Sequence, residues 1–155
     1  MAIGLSHGGT TIYSSPSLSG EILVGTREGV VTIARAGSAS QWKVARRAIT
    51  DKHISAIIKE PESGVMFAGA FHGAVHVSKN DGQTWEARAN GMTEHNVYSL
   101  AAKRIDGRVR VFAGTERRIC LRLMVSGSTG RKYLRFGRSR VFPNGAFLPH
   151  RTSAT

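Results

Sequence analysis

The residues able to do chemistry in this chain are few, and their spacing is unlike that of a catalytic set. His72 and His76 are four apart, the spacing at which two imidazoles on a helix share a metal ion. They stand instead in the segment F-H-G-A-V-H-V-S, which reads as a hairpin. One then falls in a turn and the other on a strand face, with no third ligand near, so no metal is expected. Glu60 and Glu62 flank Pro61. Two carboxylates cleave a glycoside only when they face each other across the sugar, and nothing in one short turn arranges that. Cys120 is the single cysteine, which excludes an internal disulfide and a Cys-rich zinc site. The densest polar stretch is S-K-N-D-G-Q-T-W, from Ser78 to Trp85. Its residue types suit a turn rather than a reaction. Asn80 or Asp81 can accept backbone N–H bonds. Gly82 can take a positive φ. Thr84 would begin the next strand, and Trp85 would pack its ring on the sheet.

The elements that must position these residues repeat. I-L-V-G-T, M-F-A-G-A and V-F-A-G-T place Gly25, Gly69 and Gly114 at steps of 44 and 45 residues. Trp42 and Trp85 are 43 apart, and I-S-A-I-I-K and V-Y-S-L-A-A-K begin 43 apart, at Ile54 and Val97. Four kinds of landmark thus share one period. Within it, strands are expected over 54–59, 65–70, 74–78 and 84–88, separated by E-P-E-S-G, F-H-G and N-D-G-Q. Four antiparallel strands in about 40–50 residues is the pattern of a propeller blade. The expected fold is all-β: a partial β-propeller of about two and a half four-stranded antiparallel blades over residues 1–116, followed by an irregular basic tail over 117–155.

S-K-N-D-G-Q-T-W resembles the Asp-box, S-x-D-x-G-x-T-W, of the BNR-repeat (WD40/YVTN/BNR-like, sialidase-superfamily) propellers. The match is Ser78, Gly82, Thr84 and Trp85, with Asn80 where Asp is usual, and the resemblance covers about residues 20–116. Asn keeps the side-chain oxygen that caps the turn. The preceding unit retains only Trp42 of its box. In that family the box is structural and joins the third and fourth strands on the rim away from the ligand face; a surface turn without family meaning is the alternative. The opposite rim would present Arg27, Phe71 and Glu116, each two residues after a repeat glycine, with His72 beside Phe71. It would also present Asp51, Lys52 and His53 in one unit and Glu94, His95 and Asn96 in the next. Loop residues on a regular scaffold are the natural binding candidates. Solvated loop residues without a ligand are the alternative reading.

The resemblance implies a binding scaffold for a protein or carbohydrate ligand, with no cofactor. Its catalytic alternative is a remnant of a sialidase-type glycoside hydrolase. That chemistry needs three arginines on the substrate carboxylate, a Tyr–Glu nucleophile and an R-I-P motif. No R-I-P occurs; Arg118-Ile119 runs into Cys120 instead. Tyr98, on an innermost strand, suits the core equally well. An enzyme is therefore not the favoured reading, since a fold does not carry its chemistry with it. Propellers close with roughly 4–8 blades, so an open arc leaves edges through which copies can associate.

The chain has 155 residues and a net charge of +12, which suggests a nucleic-acid binder. Its distribution argues otherwise: residues 1–116 carry +3, whereas residues 117–155 carry +9 without a single acid. At Arg117 the repeat stops and all carboxylates vanish. One base lost after the Glu116 codon would turn an original E-P-A-H into E-R-R-I. The restored frame then permits a Ser nine and a Trp sixteen residues after Gly114, the spacing of Ser78 and Trp85 from Gly69. A frameshifted, disordered tail is expected, except that the apolar run 119–125 can add a strand beside 108–115. A basic arm whose aromatics and cations bind single-stranded nucleic acid is the alternative. The sequence start has neither a basic segment nor an apolar core, and no apolar run approaches the roughly 20 residues of a membrane helix. A cytoplasmic protein with no membrane partner is expected.

Overall fold

A computed structural model describes residues 4–6, 9–11, 19–37, 41–61, 63–105, 108–116, 120–125 and 136–139, and side-chain surroundings between 19 and 116. The chain is all-β; among the described residues there is no helix, and hence none long and apolar enough to cross a membrane. A short N-terminal hairpin joins β1 (Gly4–Ser6) to β2 (Gly9–Thr11). Three antiparallel sheets follow in chain order. The first holds β3 (Glu21–Thr26), β4 (Gly29–Arg35) and β5 (Trp42–Ala48). The middle sheet holds β6 (His53–Lys59), β7 (Met66–Phe71), β8 (Ala74–Ser78) and β9 (Glu86–Arg88). The third holds β10 (Val97–Ile105), β11 (Arg108–Thr115), β12 (Cys120–Val125) and β13 (Phe136–Ser139).

The sheets stack face on face. Side chains alternate along β7, so Met66, Ala68 and Ala70 leave one face and Phe67 the other. The first set joins Leu23 and Val30 of the first sheet, with Ile54 and Ile57, in one core. Phe67 joins Val75 and Val77 in the second core, against Val97, Leu100, Val111 and Ala113 of the third sheet. Two of the three repeat glycines, Gly25 and Gly69, sit where consecutive sheets touch. A Cβ on Gly25 would lie 3.0 Å from Ile54 Cγ2, and one on Gly69 would lie 2.6 Å from Val97 Cγ1. Close approach of the next unit's first strand is the physical content of the 44-residue period. A bulge also recurs: the register shifts at Ser55 in β6 and at Tyr98 in β10.

Among the described residues the first sheet has three strands. Two details depart from expectation. The strand expected at 84–88 is shorter, Glu86–Arg88, because Thr84 and Trp85 still belong to the hydrogen-bonded turn. Beyond Glu116, β12 pairs with β11, as allowed for the run 119–125, and the departure is β13, which pairs with β12. The unsatisfied N–H and C=O groups of an edge strand attract any extended segment beside them. The remaining tail residues, 117–119, 126–135 and 140–155, lie outside the described residues.

Candidate functional site

Two ends of the middle sheet carry the residues singled out above. At one end the turn from Ser78 to Trp85 is held by its own side chains. Ser78 is buried, and its hydroxyl accepts the Gly82 N–H at 2.9 Å while donating to Asn80 Oδ1 at 3.0 Å. Asn80 Oδ1 also accepts the Thr84 N–H at 2.9 Å, and Asn80 Nδ2 donates to Thr84 Oγ1 at 2.9 Å. Asp81 and Gly82 are left-handed, with φ of 53° and 78°. Asp81 pairs with Lys59 of the neighbouring turn at 2.6 Å. The half-buried Trp85 donates its indole N–H to the Gly82 carbonyl at 3.1 Å and packs against the core shared with the first sheet. Trp42 instead is 37% exposed, with Arg35 over its ring at 5.2 Å. The side chains of Ser78, Asn80 and Trp85 are thus engaged within the turn itself.

At the opposite end the loops converge. Phe71, half-buried, meets the His72 ring edge-on at 4.1 Å, Tyr98 at 5.5 Å and His53 at 6.1 Å. The bulge in β10 puts Tyr98 here, 39% exposed, rather than in the core. Asn96 is the clasp. Its Oδ1 accepts the His72 N–H at 3.1 Å, its Nδ2 donates to the Glu116 carboxylate, and its carbonyl accepts the Glu116 N–H at 3.1 Å. Glu94 accepts the Asn96 N–H at 3.1 Å, and the His95 carbonyl accepts the Ala74 N–H at 3.0 Å. Three loops, from different sheets, are thereby fixed to one another. His72 and Ala74 carry φ of 57° and 61°, a left-handed backbone that costs energy in a non-glycine residue and persists only where surroundings enforce it.

The other candidates are more loosely placed. Lys52 pairs with Asp51 at 2.7 Å, and its stem packs against Gly73. The Lys52 hydrogen bond holds the Asp51 carboxyl below its ordinary pKa against a smaller opposing effect of desolvation. Arg27 stands exposed on the β3–β4 turn, which Thr26 closes by accepting the Glu28 N–H at 3.1 Å. No contact that ties the other loops reaches Arg27 among the described residues. Glu60 is buried, with its carboxylate accepting the Ser63 N–H at 2.6 Å, so it holds its own turn. Glu62 and Arg118-Ile119 lie outside the described residues. Among the described residues no group of three His, Cys, Asp or Glu side chains could hold a metal.

Sequence reasoning placed His76 on a strand face and weighed it only as a metal ligand, without anticipating its burial. It is 8% exposed and faces the first sheet, lining a cavity with Asp51, Thr84 and Trp85. Burial pushes its pKa below the ordinary 6.5, opposed by a hydrogen bond to the Gly73 backbone and by the charge of Asp51. The signal was available as a polar residue on an otherwise apolar strand, A-V-H-V-S. No family model, characterised protein or solved structure matches the chain.

Proposed function

We propose that the chain is a non-catalytic binding scaffold, a partial propeller of BNR/Asp-box repeats that recognises a protein or carbohydrate ligand through the loops around Phe71. The observation that carries this reading is the clasped cluster itself. Asn96 ties the His72 backbone to Glu116 beside the half-buried Phe71 and the exposed Tyr98 ring. Rigid aromatic anchors beside satisfied polar groups are what a binding surface needs, because little ordering entropy is then lost on association. The turn from Ser78 to Trp85 serves the scaffold, with Ser78, Asn80 and Trp85 bonded within it. A cytoplasmic setting accords with a single cysteine. The tail after Glu116 is read as out-of-frame sequence.

The test is a screen of the purified chain on glycan and peptide arrays, repeated with Phe71→Ala and Tyr98→Ala after their folding is confirmed by thermal melts. Ligands bound by the parent are expected to lose roughly tenfold or more in affinity with either variant. Binding that ignores both changes, or turnover of a fluorogenic sialoside, overturns the reading.

A further inference from the structure

The stack of three sheets ends in two outward faces, and the repeat indicates what each is built to meet. Gly25 corresponds to Gly69 across the 44-residue step, so Ile22 and Val24 stand where Met66 and Ala68 stand in the middle sheet. Met66 and Ala68 are buried against the sheet before them. Ile22 and Val24 instead face away from the middle sheet, and the register of β3, β4 and β5 gathers Val31, Ile33, Trp42 and Val44 on the same face. Val24, Trp42 and Val44 are exposed there. An apolar sheet face open to water is a surface made for a partner.

At the other end of the stack, Phe112 and Gly114 stand where Phe67 and Gly69 stand, 45 residues on. Phe67 and Gly69 lie against the sheet that follows them. Ser99 and Ala101 pair with Gly114 and Phe112 and share their outward face. Ala101 is exposed on it. Gly114 marks an open place. A Cβ on Gly25 or Gly69 would meet Ile54 or Val97 of the following sheet, whereas one on Gly114 would meet, among the described residues, only Ser99 of its own sheet. Each end of the stack thus carries the counterpart of a face that is covered inside it.

We propose that two copies of the chain close into a ring, the outward face of each third sheet stacked on the outward face of the other copy's first sheet. Propellers close with roughly 4–8 blades; two copies of three stacked sheets supply six, whereas three copies would supply nine. Area favours closure as well. Three strands about 4.8 Å apart, each of roughly six residues, give a face a footprint of roughly 300 Å². One such seam is small against the roughly 800 Å² per partner of a standard interface. A ring gives every copy two seams, and a corrugated face exceeds its footprint. The pairing is head-to-tail, yet closure leaves no free face on which a fibre could grow. The inference rests on the propeller reading of the scaffold and not on its ligand.

The test is equilibrium sedimentation of the full chain from about 1 to 500 µM. The mass is expected to rise from the 16.7 kDa of one chain to twice that, with a Kd on the order of 10 µM, and to stop there. Val44→Lys and Ala101→Lys change exposed positions at opposite ends of the stack. In the ring each change falls in both seams and buries an unpaired charge. Each is expected to weaken pairing by about a hundredfold or more, while the melting temperature of the monomer holds. Arg35 on one face and Lys103 on the other are both cations, so added salt is expected to tighten the dimer. A chain that stays monomeric, a mass that climbs past two chains, or a dimer that salt dissolves overturns the ring. So does an Ala101→Lys chain that pairs as the parent does, the result of a pair joined through first sheets alone. Monomer and dimer present the Phe71 loops equally, so a monomer whose ligand binding needs Phe71 and Tyr98 keeps that reading and loses this one.

Discussion

Ser78 does more for the box than its size suggests, because one hydroxyl serves as acceptor for Gly82 and donor to Asn80 inside a buried position. Ser78→Ala strands the Gly82 N–H and is expected to cost about 1–3 kcal/mol. Lys79→Ala, one residue on and exposed, should change stability by no more than about 0.5 kcal/mol. Urea midpoints for the two variants check this; identical midpoints would mean that the turn does not depend on the hydroxyl. His76 makes a second prediction. Its pKa is lowered in the folded chain, so the unfolded chain takes up a proton first as the pH falls. The contribution from a neutral His76 is fully present above the ordinary 6.5 and is lost as the pH falls from there through the lowered folded value. Melting temperatures measured across that window should decline on the acid side, and His76→Gln should flatten the decline. The turn was legible in the sequence because its bonds span at most four residues, from Ser78 to Gly82 and from Asn80 to Thr84. The burial of His76 was not, since Ile49 and Asp51, which line the same depression, come from the turn before the middle sheet.

At the scale of the strand, the glycines explain the period. At Gly69 β10 lies close against β7, and Gly69→Ala places a methyl group 2.6 Å from Val97 Cγ1. The sheets must then part, at an expected cost of about 1–3 kcal/mol, typical of overpacking. Gly20→Ala, where nothing lies within 4 Å, is the control and should be close to neutral. Chemical denaturation of the two variants decides, and a Gly69→Ala chain as stable as the parent would show that the sheets are not so close. Strand order and hairpin ends were readable from Gly, Asn and Asp clusters. The bulges were not, because Ser55 and Tyr98 look like ordinary members of alternating strands. Tyr98 consequently suited the core and a site equally well, whereas the register shift beside it turns the ring to the loop end.

The whole molecule is a stack whose two outer sheets differ from its middle one. Met66 and Ala68 are buried against the first sheet, while Val24 of the first sheet is 40% exposed and Val44 of the same sheet 53%. An out-of-frame tail predicts where further cover is encoded. Adding one base after codon 116 in the gene should open a frame with a Ser nine and a Trp sixteen residues after Gly114, followed by more units of about 44 residues. Sequencing that region decides, and a frame that soon meets stop codons contradicts the reading. The middle sheet also contains a pin. The Ser55 hydroxyl lies 3.0 Å from the Gly69 carbonyl of its own sheet and 2.5 Å from the Val97 carbonyl of the next. A pin of this kind resists sliding far better than peeling. Drawn out by its termini, the chain should therefore lengthen in steps, shedding its flanking layers before the pinned layer slips. The molecule would act less as a block than as a laminate, strong along its seams and weak across them.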